Sequence, residues 1–376
     1  MLIELHVIQN HSPGNLNRDD LDAPKTCYFG GVLRLRISSQ CIKRSVRTSA
    51  QFRNLLGGVR TRRLAEVIAA KVEGKKDVKK RASEILKELG FEASDDGTTD
   101  MAVYVARSAI DKMAAIVQKH DADTAELAAQ FAKLIEEEVA IPDMALTGRM
   151  LETKPLAKYN TTVEAALQVA HAISTHEARP EVDYFVTADD LPGKDAGAAY
   201  VDEAMFASAC FYKYFSIHWD TLVRNLRGNT DLAAHTVGAF LRGAALANPS
   251  GKQNSFAAHN PPDGIVVEVK PDGCTPISYA NAFASPVPCK GPRDIVSQSI
   301  AQLGQYIHDL DMGYGKLGKR FWFSPNLRYA LTYIEDEKEL PCVDEDGKVR
   351  SLDDLVKRVV EEIGFDWARV QTVTIS

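Results

Sequence analysis

From about Leu64 to Ile141 the apolar residues recur at helical spacing alone: RLAEVIAAKVEG, DVKKRASEILKELGF, TDMAVYVARSAIDKMAAIVQKH and DTAELAAQFAKLIEEEV each carry an apolar stripe. The segments on either side are of another kind. Leu2 to Ile8 alternates like a half-buried strand, His11 to Pro24 is polar and reads as a loop, and Val32 to Ser38 alternates again. After Ile141, TTVEAALQVAHAISTHE reads as a helix, ACFYKYFSI and GIVVEVK as strands, and LAAHTVGAFLRGAALA, DIVSQSIAQLGQYIHDL and SLDDLVKRVVEEIG as helices. Strands mixed with helices on both sides of an all-helical tract predict an α+β core interrupted by a helical insertion. ARPEVDYFVTADDLPGKDAG is expected to project, because Tyr184 and Phe185 stand among acids, prolines and glycines, where an aromatic can serve as a wedge or stacking platform.

The chain carries a formal charge of -6, which on average argues against nucleic acid, yet the charge is unevenly placed. From Ala23 to Ala65 there are ten basic residues and no Asp or Glu. Within this block, Leu33, Leu35 and Ile37 face one way and Arg34, Arg36 and Ser38 the other, which predicts arginines on an open sheet face. Ser38 or Ser39 can cap a helix starting near Gln40, with Ile42, Val46 and Ala50 on its apolar side and Lys43, Arg44 and Arg47 on its flank. Backbone amides at the helix start, together with these cations, predict an anion site.

Other motifs lead less far. Gly313 to Arg320 matches GxGxxG and GxxxxGK, but a helix precedes the glycines and Arg320 stands where a hydroxyl should hold magnesium, so a helix-terminating turn is the better reading. The adjacent acids Asp19-Asp20 and Asp189-Asp190 can in principle hold a divalent cation, the basis of a metal-dependent ribonuclease alternative. His171 and His176 are five apart and share no helix face, so no zinc site is expected. The six cysteines form no CxxC pair, no window approaches 18 apolar residues, and the first residues lack a basic stretch before an apolar core. The expectation is a cytoplasmic protein without cofactors.

The segments HSPGNLNRDD, FGGVLRLRISSQCIKRSVR, ALTGRM, AHAISTHE, YFVTADDL, FYKY, NPSGKQNSFAAHNP and SYANAFASPV, in this order, resemble the backbone subunit of the type I-E Cascade CRISPR surveillance complex, the CasC family. The likeness runs from the first strand to about Gly315, with the last sixty residues matching only loosely. It implies a hand-shaped protein with a modified RRM (ferredoxin-like) palm in 1–56, 166–177 (a palm helix) and 209–376, the last including a C-terminal extension. Helical fingers would occupy 57–165 and a projecting thumb 178–208. It also implies a non-catalytic protein that oligomerises along crRNA and kinks it at intervals. The guide is then presented to target DNA in antiviral defence, with CasA, CasB, CasD and CasE as partner subunits and a separate helicase-nuclease to cut. Type III relatives cleave RNA with a loop aspartate. On the matching positions the resemblance places Arg18, Lys25, Ser38, Ser39, Gln40, Lys43, Arg44 and Arg47 along the guide backbone. Met150, with Arg149 beside it, falls against bases and Phe185 at a flipped base. Lys252 and Gln253 are further contacts.

Overall fold

The computed structural model describes residues 1–72, 75–94, 96–118, 123–187, 200–290 and 293–374. It divides into two compact units, one made of 1–51, 169–216 and 238–367, the other of 52–168, 217–237 and 368–376.

The first unit is built on a large mixed sheet. Its main path runs Lys348–Val349, Lys319–Phe323, Gly264–Lys270, Leu2–Gly14, Tyr200–His218, Ala172–Ser174, Val32–Ile37 and Thr26–Phe29. Leu2 to Ile8 pairs antiparallel with Lys270 to Gly264, and Phe323 pairs parallel with Val349. One face is covered by the helix Ile295–Tyr314, whose Val296, Ile300, Leu303 and Ile307 are buried against Tyr212, Phe283 and Trp322. Burying such side chains contributes about 1.5–3 kcal/mol each, which seats the helix. Asp294 caps it by accepting the Ser297 amide at 2.9 Å. It stops at Gly315, whose φ of 84° suits glycine, so the GYGKLG run is a helix-ending turn ahead of the strand Lys319–Phe323.

The second unit packs the helices Leu64–Ala69, Lys75–Glu88, Arg107–Val117 and Thr124–Glu137 around a core that includes Ile85, Met113 and Phe131. It is not helical throughout. Val103–Ala106 pairs antiparallel with Gly58–Thr61, so the expected helix from Thr99 to His120 begins only at Arg107. The β-branched pair in VYVA, buried on both faces, favours the ladder there.

Three further expectations need correction. The first strand runs to Gly14, not Ile8, because its polar end is bonded by side chains: Asp263 accepts the Asn10 amide at 2.7 Å and Asn260 the Ser12 amide at 3.1 Å. The segment read as a helix, with a palm helix at 166–177, instead forms the strands Leu167–Val169 and Ala172–Ser174. Ile173 and Ser174 pair with Tyr212 and Phe211, so sheet context overrides the helical propensity of the alanines. Arg34, expected on an open face, is 0% exposed; its guanidinium donates to the carbonyls of Phe29, Ser174 and Phe283.

Candidate nucleic-acid interface

Ser39–Arg47 forms the basic helix, one residue earlier than expected. Ser38 is its N-cap, with its Oγ accepting the Cys41 amide, and its own amide is held by the Asn17 side chain at 2.8 Å. Ile42 and Val46 are buried, which turns Lys43, Arg44 and Arg47 away from the core. Ala50 lies beyond the helix end and is exposed, so the apolar side is two residues long. Arg44 and Arg47 also sit in the last turn, where positive charge complements the helix dipole. Of the first three amides, that of Ser39 goes to His171 and that of Cys41 to Ser38; among the described hydrogen bonds the Gln40 amide has no partner.

Within the same unit, Arg18, Ser38, Gln40 and Arg44 line an open groove of about 950 Å³ whose other wall includes Asn248, Ser250, Gly251 and His259. Arg18 pairs with Asp22 at 2.7 Å, not with its neighbour Asp19. Lys25, half-buried, is tied through its amide to the Asn17 carbonyl at 2.8 Å. Lys252, which follows the groove residue Gly251 but is not part of the lining, adopts a left-handed backbone, φ 48°, at the start of the short helix Gln253–Phe256. The Gln253 side chain donates to the carbonyls of Pro249 and Ala258, so its amide group shapes the loop.

Phe185 lies on the hairpin strand Glu181–Thr187, paired with Tyr200–His218, and is 43% exposed; its neighbour Tyr184 is 70% exposed. Residues 188–199, including Asp189 and Asp190, lie outside the described residues.

Met150 and Arg149 belong to the second unit. Met150 is 71% exposed, as a base-facing side chain must be, but Arg149 is not at the surface. At 4% exposed, its guanidinium donates to the carbonyls of Thr161, Tyr104 and Ile135. Burial pushes its pKa down to about 10, so it stays charged at neutral pH. Arg149 therefore holds the turn that presents Met150. Gly148 completes that turn at φ 72°, where a Cβ would stand 2.8 Å from the Val163 carbonyl oxygen.

Among the described residues, Asp19 and Asp20 join no group of side chains close enough to share an ion. Asp19 Oδ1 accepts the amides of Leu21 and Ala23 at 2.9 and 3.0 Å, folding the loop back on itself. Among the described residues, the acids and histidines close enough to share an ion are Glu4, His6 and Glu268, all buried in the sheet. Cations already serve both carboxylates: Lys270 pairs with Glu4 and Glu268, and Arg320 with Glu268 and Asp311. The Tyr212 hydroxyl accepts the Tyr279 amide at 2.8 Å and lies 2.9 Å from His6 Nδ1. This network was legible only as charged residues inside otherwise apolar strands. Arg36, expected on the sheet face, and His171 meet beside the basic helix, a contact between distant segments that the sequence pattern does not announce. All six cysteines are free.

The fold and this surface together define a mixed α+β protein that sets a cationic helix beside an open groove. The chain belongs to the CT1975-like protein family, whose family model matches residues 3–356. Among solved structures, it is similar to a chain of a "CRISPR RNA-guided surveillance complex, pre-nicking", with 28% identity, a TM-score of 0.81, and coverage of 96% of this chain and 100% of that one. A chain of a "CRISPR RNA-guided surveillance complex" shares the fold at 24% identity and a TM-score of 0.71, with the same coverage. No curated protein matches. Among the described residues no helix is long and apolar enough to cross a membrane.

Proposed function

We propose that this chain is a non-catalytic backbone subunit of a type I-E CRISPR surveillance complex in the cytoplasm. It binds crRNA, stacks copies of itself along the guide and offers the guide to target DNA, with large and small subunits and a guide-processing ribonuclease as partners. In this reading 1–56 and 209–376 belong to an RRM-like palm, 57–165 are fingers and 178–208 a thumb. The observation that carries the proposal is the helix Ser39–Arg47. It has no acid in its first turn, presents three cations, and lines with Arg44 an open groove shared with Arg18 and Gln40. A groove of this kind suits an extended polyanion held by its backbone.

Co-expressing the full chain with a crRNA, then treating the purified complex with ribonuclease, tests the proposal. Protected fragments of regular spacing are expected. A chain that purifies free of RNA contradicts the reading. The metal-dependent ribonuclease alternative predicts magnesium- or manganese-dependent cleavage of labelled single-stranded RNA, abolished by Asp19→Ala or Asp20→Ala.

A further inference from the structure

His171 is exposed, immediately before the strand Ala172–Ser174 and beside the start of the basic helix. Its Nδ1 lies 3.1 Å from Arg36 Nη1 and 3.3 Å from the backbone nitrogen of Ser39. Both partners can only donate, since a guanidinium and a backbone N–H have no acceptor to offer, so Nδ1 must accept and the ring proton sits on Nε2. Among the described hydrogen bonds Nε2 has no partner. His176, five residues on, is the contrast. Its Nδ1 donates to the Glu177 carbonyl at 2.9 Å and its Nε2 accepts the Cys210 amide at 3.2 Å, so both nitrogens are consumed inside the fold.

The surroundings disfavour a charged His171. Partial burial first, then the positive charges of Arg36 and Lys25, hold its pKa below the ordinary histidine value. Among the described residues those two cations are the charged groups that act on the ring, and neither can take a proton from it. The ring is thus a fixed, neutral donor next to the Gln40 amide.

We propose that His171 offers its Nε2–H to an oxygen of the guide RNA backbone, either a phosphate oxygen or a ribose 2′-hydroxyl. This rests on the guide-RNA reading above. The chemistry distinguishes His171 from the cations around it. A neutral donor adds a hydrogen bond but releases no counterion, whereas each Lys or Arg on a phosphate of a single strand adds about 0.7 to the slope of log K against log salt.

The test measures binding of single-stranded RNA by the full chain at several salt concentrations. His171→Ala is expected to weaken binding roughly three- to tenfold with an unchanged salt slope, and His171→Gln, which keeps a donor, to restore most of it. Unchanged affinity in His171→Ala overturns the proposal, as does a slope reduced by a full phosphate contact or failure of His171→Gln to rescue. Repeating the comparison on a 2′-deoxy strand identifies the acceptor: a loss that persists points to phosphate, and one that vanishes to the 2′-hydroxyl. The Lys43→Ala, Arg47→Ala double variant runs alongside. If it weakens binding and His171→Ala does not, only the histidine assignment fails; if neither does, the guide-RNA reading fails as well.

Discussion

Arg34 donates its guanidinium to the carbonyl of Ser174 at 3.0 Å, joining residues 140 apart in the chain. The carbonyls of Phe29 and Phe283 complete its set. One of the ten cations of the basic block is therefore a clamp inside the first unit. Arg34→Ala is expected to cost about 3 kcal/mol in urea unfolding, because three carbonyls lose their donor, while Lys43→Ala leaves stability nearly unchanged. Equal stability of the two variants would show that the clamp contributes nothing.

Arg149 and Met150 are neighbours with opposite expected phenotypes. Arg149→Ala strips the donors from Thr161, Tyr104 and Ile135 and is expected to destabilise the chain by about 3 kcal/mol. Met150→Ala removes only an exposed thioether and should leave the urea midpoint in place. Its expected effect is on RNA contact, read as altered chemical reactivity of the bound bases. A midpoint lowered equally by both variants contradicts this division.

Burial pushes His6 and His11 each down to about 3. Both are therefore neutral in the folded protein, whereas in the unfolded chain they titrate near 6.5. The unfolded state binds the extra protons below pH 6.5, so the stability these groups permit is full above that pH and is lost as pH falls toward 3. The slope is at most about 1.4 kcal/mol per pH unit for each histidine. Urea unfolding at pH 4.5, 5.5, 6.5 and 7.5 should show this fall, and His6→Gln should flatten it by about one proton. An identical pH dependence in the variant would place the acid sensitivity elsewhere.

Phe185 is half-exposed on a hairpin strand, away from the cations of the helix Ser39–Arg47 in sequence. If it is a wedge, Phe185→Ala spares overall RNA retention but disturbs the interval of nuclease protection on the bound guide. Footprinting at single-nucleotide spacing reads this directly, and an unaltered interval removes the assignment.

The core was legible where one force dominated. The helices Ser39–Arg47, Ile295–Tyr314 and Leu352–Glu362 follow from their apolar periods and serine or aspartate caps. The strands Leu167–Val169 and Ala172–Ser174 were not legible, because alanine-rich sequence favours a helix until Tyr212 and Phe211 supply a ladder. The candidate site divides in the same way. Charge counting finds Lys43, Arg44 and Arg47, but it cannot separate a surface arginine from Arg34 or Arg149, whose partners are carbonyls from distant segments that no local pattern announces. His171 escaped for the same reason, since its tautomer is set by Arg36 and a backbone amide.

The central claim is that the basic helix holds RNA by its backbone. The direct measurement is the affinity of the full chain for single-stranded RNA of two unrelated sequences across a salt series, for the native chain and the Lys43→Ala, Arg47→Ala double variant. The account predicts weaker binding to both sequences and a salt slope lower by about 1.4, the equivalent of two single-strand phosphate contacts. Unchanged affinity and slope, or a loss confined to one sequence, would contradict it.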